Sequence, residues 1–484
     1  MKIQITKSSY EKVCALKPKK RKKPLKPNSF FRFLLKAVSS FDLKDVDFKY
    51  DLIGMKNLKD DEPCLILMNH SSFLDLEMTS KIFAKRPVNI ICTEDGFVGK
   101  NWLLRQIGCI PTKKFTMDIA LVQDLKYCVD KLKSSILLFP EASYTFDGTA
   151  TPLPEMMGKL AKFLKVPIVS VTSHGSFLRQ PLYNYLNKRK INASATVKFL
   201  LSKEEIKSKS IDQINEIILN EFKFDNFKDQ QENNILIKEE NRALGLNKPL
   251  YKCPHCLKEG HMHSEGIYLE CPECHAKYEL TENGFLKNIN GETLFDSVPK
   301  WYQFERESVK KEIENGAYFV KLPVKILMMI DNHAVYEIGE GELQHSNKGF
   351  ELNGCNDKLH FSLKPEETYC VYSDFYWYSI GDMVAIGNSS VQYYCFPKED
   401  IDIVAKIRLA AEELYKFNKK SWDLQGFSLK RHLKPSLKQS QQWKTKLHND
   451  VWSRFSFLEP FLQLQHKSYT QQQKLMPKAW LLEF

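Results

Sequence analysis

The chain has 484 residues, 43% hydrophobic and 12% aromatic, which is enough apolar material for several packed cores and excludes bulk disorder. At about 100 to 200 residues per domain it is too long for one domain. The net charge of +12 is concentrated: residues 1–27 carry ten basic side chains against the single acid Glu11, so the remainder is nearly balanced.

Residues 17–27 read KPKKRKKPLKP, a run of repelling charges and prolines that is expected to be a solvated basic arm spanning 1–27. NSFFRFLLKAVSSF follows. With Asn28 or Ser29 as cap, Phe30, Phe31, Phe33, Leu34, Leu35, Val38 and Phe41 cover a broad helical face, with Arg32 and Lys36 opposite. A basic arm before an amphipathic aromatic helix is a membrane-surface combination, so residues 1–41 are expected to meet an anionic bilayer. The plainer alternative is a solvated tail before a core-packing helix. No nucleic-acid partner is expected, because no basic surface interleaved with aromatics follows. No window approaches the ~18 uninterrupted apolar residues of a spanning helix, and no apolar run with a cleavage site marks a secretory signal. Twelve cysteines without export point to a reducing compartment. The expected location is cytoplasmic, peripheral on the inner face of the membrane.

From about residue 50 to 200, CLILM, VNIIC, SILLF, VPIVSV and ATVKFLL have the length and content of buried strands. Helix-period segments such as Met117–Leu132 alternate with them, which predicts an α/β domain with strands covered by helices. Catalytic groups are expected at strand ends.

One such end carries Asn69-His70-Ser71-Ser72-Phe73-Leu74-Asp75. On a continuous helix, positions i and i+5 lie about 140° apart and cannot pair. They can pair if His70 sits on the loop and Ser71 or Ser72 caps the helix bearing Asp75. Asp75 then holds one imidazole nitrogen and leaves the other free to accept a proton. Further along come a Gly-plus-basic turn, Gly108 to Lys114, then Phe139-Pro140-Glu141-Ala142-Ser143, then Val166-Pro167-Ile168.

This ordered set resembles the glycerolipid acyltransferase family, the lysophosphatidic acid acyltransferases, over about residues 50–200. The resemblance implies that His70 is the general base, oriented by Asp75, which deprotonates an acceptor hydroxyl for attack on the thioester of acyl-CoA or acyl-carrier protein. It implies substrate binding by Asn69, Gly108, Lys113, Lys114, Glu141 and Ser143, and an acceptor such as 1-acyl-glycerol-3-phosphate. Two departures bear on the acceptor. The family's F-P-E-G-T-R is F-P-E-A-S-Y here, with Tyr144 at the usual arginine position, and the Gly-basic block ends in Lys113 and Lys114 rather than Phe-x-Arg. Lysine supplies charge but no bidentate fork. Arg179 and Lys159 are the candidates to compensate. The alternative function is a catalytically silent lipid-binding adaptor.

Residues 203–248 read as helical connectors closing a domain of residues 28–248. Cys253, Cys256, Cys271 and Cys274 form two C-x-x-C knuckles, the pattern of a closed structural Zn site in a zinc ribbon over 249–290. Nearby His255, His261, His263 and His275 are surplus. A strand-rich stretch with turn dipeptides, ended by a helix over Asp400–Phe417, makes 297–420 a β-rich module, similar in outline to pleckstrin-homology-like or GRAM-type domains or else a plain interaction domain. The segment 421–484 is expected to be poorly ordered.

Overall fold

The computed structural model describes residues 3–116 and 118–432, with side chains described as far as Lys419. Of the tail expected to be poorly ordered over 421–484, residues 433–484 lie outside the described residues, while 421–432 are helical. The closing helix runs further than the sequence pattern indicates, over Val404–His432.

The first strand, β1 (Ile5–Lys7), does not belong to a free arm. It pairs in parallel with Val335–Glu337, some 330 residues further along the chain. Beyond it the basic run is pinned rather than solvated. Arg21 reaches Asp118 and Asp124 at 2.9 and 2.7 Å, and Pro24 and Pro27 are buried, while the flanking lysines stay exposed. Paired charges and buried prolines hold a backbone that like-charge repulsion alone would release. Asn28 then caps the helix Ser29–Asp45, its side chain accepting from Phe30 N at 2.9 Å.

The α/β region is built on a seven-stranded sheet of β2 (Lys49–Ile53), β3 (Leu65–Met68), β4 (Val88–Thr93), β5 (Cys109–Thr112), β6 (Ser135–Leu138), β7 (Ile168–His174) and β8 (Ser194–Leu201). Their spatial order is β2-β8-β7-β3-β6-β4-β5, parallel except where β7 meets β8. Central β3 is buried along its whole length, as a parallel strand covered on both faces must be. Two elements escaped the sequence reading. β2 is exposed throughout, and Cys109–Thr112, read as part of a turn, is an edge strand paired with β4 that tolerates Pro111 because it lies at the edge.

A four-stranded antiparallel ribbon follows: β9 (His263–Glu265), β10 (Tyr268–Glu270), β11 (Lys277–Leu280) and β12 (Leu286–Asn288). Next come the helix Val298–Glu314 and a second sheet of β13 (Phe319–Met329), β14 (Val335–Ser346), β15 (Gly349–Gly354), β16 (Leu359–Leu363), β17 (Tyr372–Trp377), β18 (Gly381–Gly387) and β19 (Gln392–Pro397). The order β16-β15-β14-β13-β19-β18-β17 brings the last strand beside the first, with β1 added on β14. All these layers pack into one compact unit as far as Lys419. Among the described residues no helix is long and apolar enough to cross a membrane.

Candidate active site and metal centre

β3 ends at Met68, and the chain turns through Asn69 to Phe73 before the helix Leu74–Ile82 begins. The loop places His70 Nδ1 3.2 Å from Asp75 Oδ2. Asp75 is fully buried. Oδ2 also accepts from Ser71 N at 2.7 Å and Ser72 N at 3.0 Å, while Oδ1 accepts from Ser176 Oγ at 2.6 Å and Ser173 Oγ at 3.1 Å. A carboxylate with this many donors is fixed in place. The imidazole is 19% exposed and lies between two rings, stacked on Phe139 with centroids 4.0 Å apart and tilted against Tyr144 at 4.5 Å. Burial lowers its pKa below the ordinary histidine value, Asp75 opposing and Lys114 adding to the depression. The His70 imidazole is therefore neutral at physiological pH, with one ring nitrogen beside Asp75.

The other predicted residues divide. Glu141 is 1% exposed; Oε1 accepts from His70 N at 3.0 Å, and Oε2 accepts from Thr151 N at 3.0 Å and Thr151 Oγ1 at 2.8 Å. Burial pushes its carboxyl up to about 7 against those hydrogen bonds. Glu141 thus braces the His70 loop from behind. Asn69, also expected at the substrate, is fully buried and bridges β3 to β7 through Ser173. Gly108 ends the helix Asn101–Ile107 at φ +98°, where a Cβ would come within 2.5 Å of Pro27. Its role is to turn the chain into β5. Ser143 is buried with an Oγ that has no partner among the described residues, as has Ser71.

Lys113 and Lys114 follow β5, and both meet the β-rich module. Lys113 Nζ lies 3.3 Å from Glu94 and donates to Ser389 O at 3.1 Å. Lys114 Nζ sits 3.9 Å from the Tyr372 ring centroid, its pKa lowered by burial against the pull of Asp95 and Asp374. The module touches the site elsewhere too. Trp377 Nε1 donates to Asp95 Oδ2 at 3.1 Å, and Phe375 stacks on Phe146 at 4.2 Å. The proposed compensators are elsewhere: Arg179 is engaged by Arg189 O and Asp45, and Lys159 is exposed on the helix Met157–Leu164. Instead Arg408, from the closing helix, donates to Tyr144 O at 3.2 Å. No spacing rule could have found Ser173, Ser176 or Arg408, because each meets the motif only through the fold. A cavity of about 790 Å³ opens near Tyr185, Lys248 and Phe396 and contains none of the predicted site residues.

The ligand atoms of Cys253, Cys256, Cys271 and Cys274 all lie within 4.8 Å of one another, with Sγ···Sγ separations of 3.6 Å for Cys253–Cys274 and Cys256–Cys271. Four thiolates at Zn–S bonds of about 2.3 Å have tetrahedral edges near 3.8 Å, so the set fits a metal of that size. His255, His261, His263 and His275 are exposed around it.

Residues 49–174 match the family model described as Acyltransferase. Over 156 residues the chain is 29% identical to 1-acyl-sn-glycerol-3-phosphate acyltransferase BAT2, chloroplastic, of Brassica napus, covering 30% of this chain and 43% of that protein. It is 26% identical over 154 residues to the Homo sapiens 1-acyl-sn-glycerol-3-phosphate acyltransferase beta, covering 31% and 53% respectively. The chain thus spans about half the length of these curated relatives. Among solved structures, the 1-acyl-sn-glycerophosphate (LPA) acyltransferase PlsC from Thermotoga maritima matches with a TM-score of 0.32 and 16% identity, over 40% of this chain and 76% of that one.

Proposed function

We propose that the chain, whose residues 49–174 match the Acyltransferase family model, is an acyltransferase of the lysophosphatidic acid type that moves a fatty acyl group from a thioester donor, acyl-CoA or acyl-carrier protein, to the free hydroxyl of a lysophospholipid. The observation that carries this reading is the buried Asp75 carboxylate 3.2 Å from His70 Nδ1. With Nδ1 committed to Asp75, Nε2 accepts the hydroxyl proton as the acceptor oxygen attacks the thioester carbonyl carbon. The C–S bond then breaks, the thiolate leaves, and the imidazolium returns its proton to sulfur. Asp75 stays ionised and stabilises the imidazolium, the division of roles known for such pairs. Glu141 keeps the His70 backbone in position, while Ser143 Oγ and Lys114 are the polar groups left to meet substrate.

The site works at a membrane surface in this reading. The helix Ser29–Asp45 exposes Phe30, Phe33, Leu34, Val38 and Phe41, with Phe41 79% exposed, and exposed Phe73 and Trp102 extend the apolar set. Exposed Lys20, Lys22 and Lys26 lie just before that helix. Apolar insertion with cationic flanks is how a peripheral helix docks on anionic lipid, here the cytoplasm-facing leaflet. The four cysteines hold a structural Zn that fixes the ribbon, with all four positions filled by protein.

A silent lipid-binding adaptor is the competing reading, favoured by Tyr144 at the usual arginine position. Labelled oleoyl-CoA with a panel of lysolipids separates the two: acylated product supports the enzyme, and binding without product supports the adaptor.

A further inference from the structure

We infer that Arg408, carried by the closing helix of the β-rich module, supplies the cation for the acceptor's phosphate that the F-P-E-A-S-Y segment itself lacks. This deepens the acyl-transfer reading above and rests on it. Arg408 is 2% exposed, and it docks on that segment: Nη1 donates to Tyr144 O at 3.2 Å and the guanidinium lies 4.3 Å from the Phe146 ring centroid. The Tyr144 ring is in turn 4.5 Å from the His70 ring, so the charge stands one residue behind the base.

The charge is also under-compensated. Arg408 Nε approaches Glu412 Oε1 at 3.4 Å, but the other oxygen of Glu412 lies 2.7 Å from Arg306, which also pairs with Glu413 at 2.8 Å. Lys416 takes Glu413 as well, at 2.7 Å. Three cations therefore share two carboxylates. A buried guanidinium left partly unpaired is costly unless an anion meets it. Ser143 Oγ, in the same segment, is buried and has no hydrogen-bond partner among the described residues. Lys114 provides a second cation near His70, its Nζ lying over the Tyr372 ring. Two cations and a hydroxyl around one segment match a phosphomonoester. The β-rich module is then a part of the acyltransferase site, not a separate recruiter of partners.

The test uses the full chain, oleoyl-CoA, and two acceptors, 1-oleoyl-glycerol-3-phosphate and the uncharged 1-oleoylglycerol. The wild type prefers the phosphate acceptor. Arg408→Gln reduces that preference by about tenfold to a hundredfold, mainly through KM for the phosphate acceptor, the size of a lost charge-assisted hydrogen bond. Arg408→Lys keeps the charge without the fork and loses less. Glu412→Gln disturbs the ion-pair cluster but leaves the guanidinium, and keeps the preference. If Arg408→Gln and Glu412→Gln depress both acceptors alike, in step with a lowered Tm, Arg408 is only structural and the inference fails. A wild type indifferent to the phosphate overturns the inference while leaving acyl transfer standing; a wild type inactive on both acceptors removes acyl transfer to them and the inference with it.

Discussion

His70 Nδ1 approaches the same Asp75 oxygen that accepts the backbone N–H groups of Ser71 and Ser72, so one carboxylate both shapes the loop and orients the ring. Asp75→Asn therefore has two effects. The amide nitrogen faces donors, which costs on the order of 1–3 kcal/mol of stability, and the ring loses its orienting charge. In a folded Asp75→Asn protein, acyl transfer should fall by less than in His70→Ala, since orientation goes but the proton acceptor remains. Steady-state rates beside thermal melts check this, and an equal or larger loss contradicts the division of roles.

The pH profile follows from the two shifted groups. The base works as neutral imidazole, and burial depresses its pKa, so the acid limb of kcat/KM should lie below the ordinary histidine value of 6.5. Lys114 binds an anionic acceptor only while protonated, and burial lowers its pKa, so an alkaline limb should fall below the ordinary lysine value of 10.5. Lys114→Arg, which stays charged, should remove the alkaline limb and leave the acid one. An alkaline limb untouched by that substitution assigns it to another group.

Membrane attachment can be tested without removing the N-terminus. Deleting residues 1–27 would strip the strand Ile5–Lys7 and the Arg21 ion pairs, confounding binding with folding. Substituting exposed Phe33 and Phe41 by Ser should weaken binding to anionic vesicles by about tenfold or more, given ~1.5–3 kcal/mol per buried Phe. Lys20, Lys22 and Lys26 replaced by Gln should flatten the salt dependence of sedimentation with the same vesicles. Unchanged binding in both sets excludes this surface as the contact.

The ribbon should carry one Zn per chain by elemental analysis after purification without chelator. Cys271→Ser should lose the ion and lower the Tm, because binding at such a site is folding free energy. A metal-free protein with an unaltered Tm refutes a structural Zn.

In the α/β region the buried parallel strands were readable from the sequence because they leave continuous apolar runs, as LILM in β3 does. Exposed β2 and proline-bearing β5 leave no such run. The basic segment reads as free because its anchors, Asp118 and Asp124, lie about a hundred residues away. Within the site, the His70–Asp75 pair was legible from the placement of His70 on the loop, although the helix starts from Phe73 without a side-chain cap and not from Ser71 or Ser72, and the four cysteines were legible from their spacing. Which face of a loop a side chain takes was not. Asn69 and Glu141 turn inward to Ser173, Thr151 and the backbone of His70, where they stiffen the site. Nor could spacing reveal Arg408, which meets Tyr144 from 264 residues along the chain.

The central claim, that His70 is the base for acyl transfer, is tested most directly by His70→Ala with labelled oleoyl-CoA and 1-oleoyl-glycerol-3-phosphate. The side chain sits at 19% exposure on a loop braced through its backbone by Glu141, so the variant should keep its Tm and its vesicle binding. The prediction is loss of product by at least about a hundredfold, the low end of what a general base contributes. Wild-type rates from a folded His70→Ala protein would contradict it.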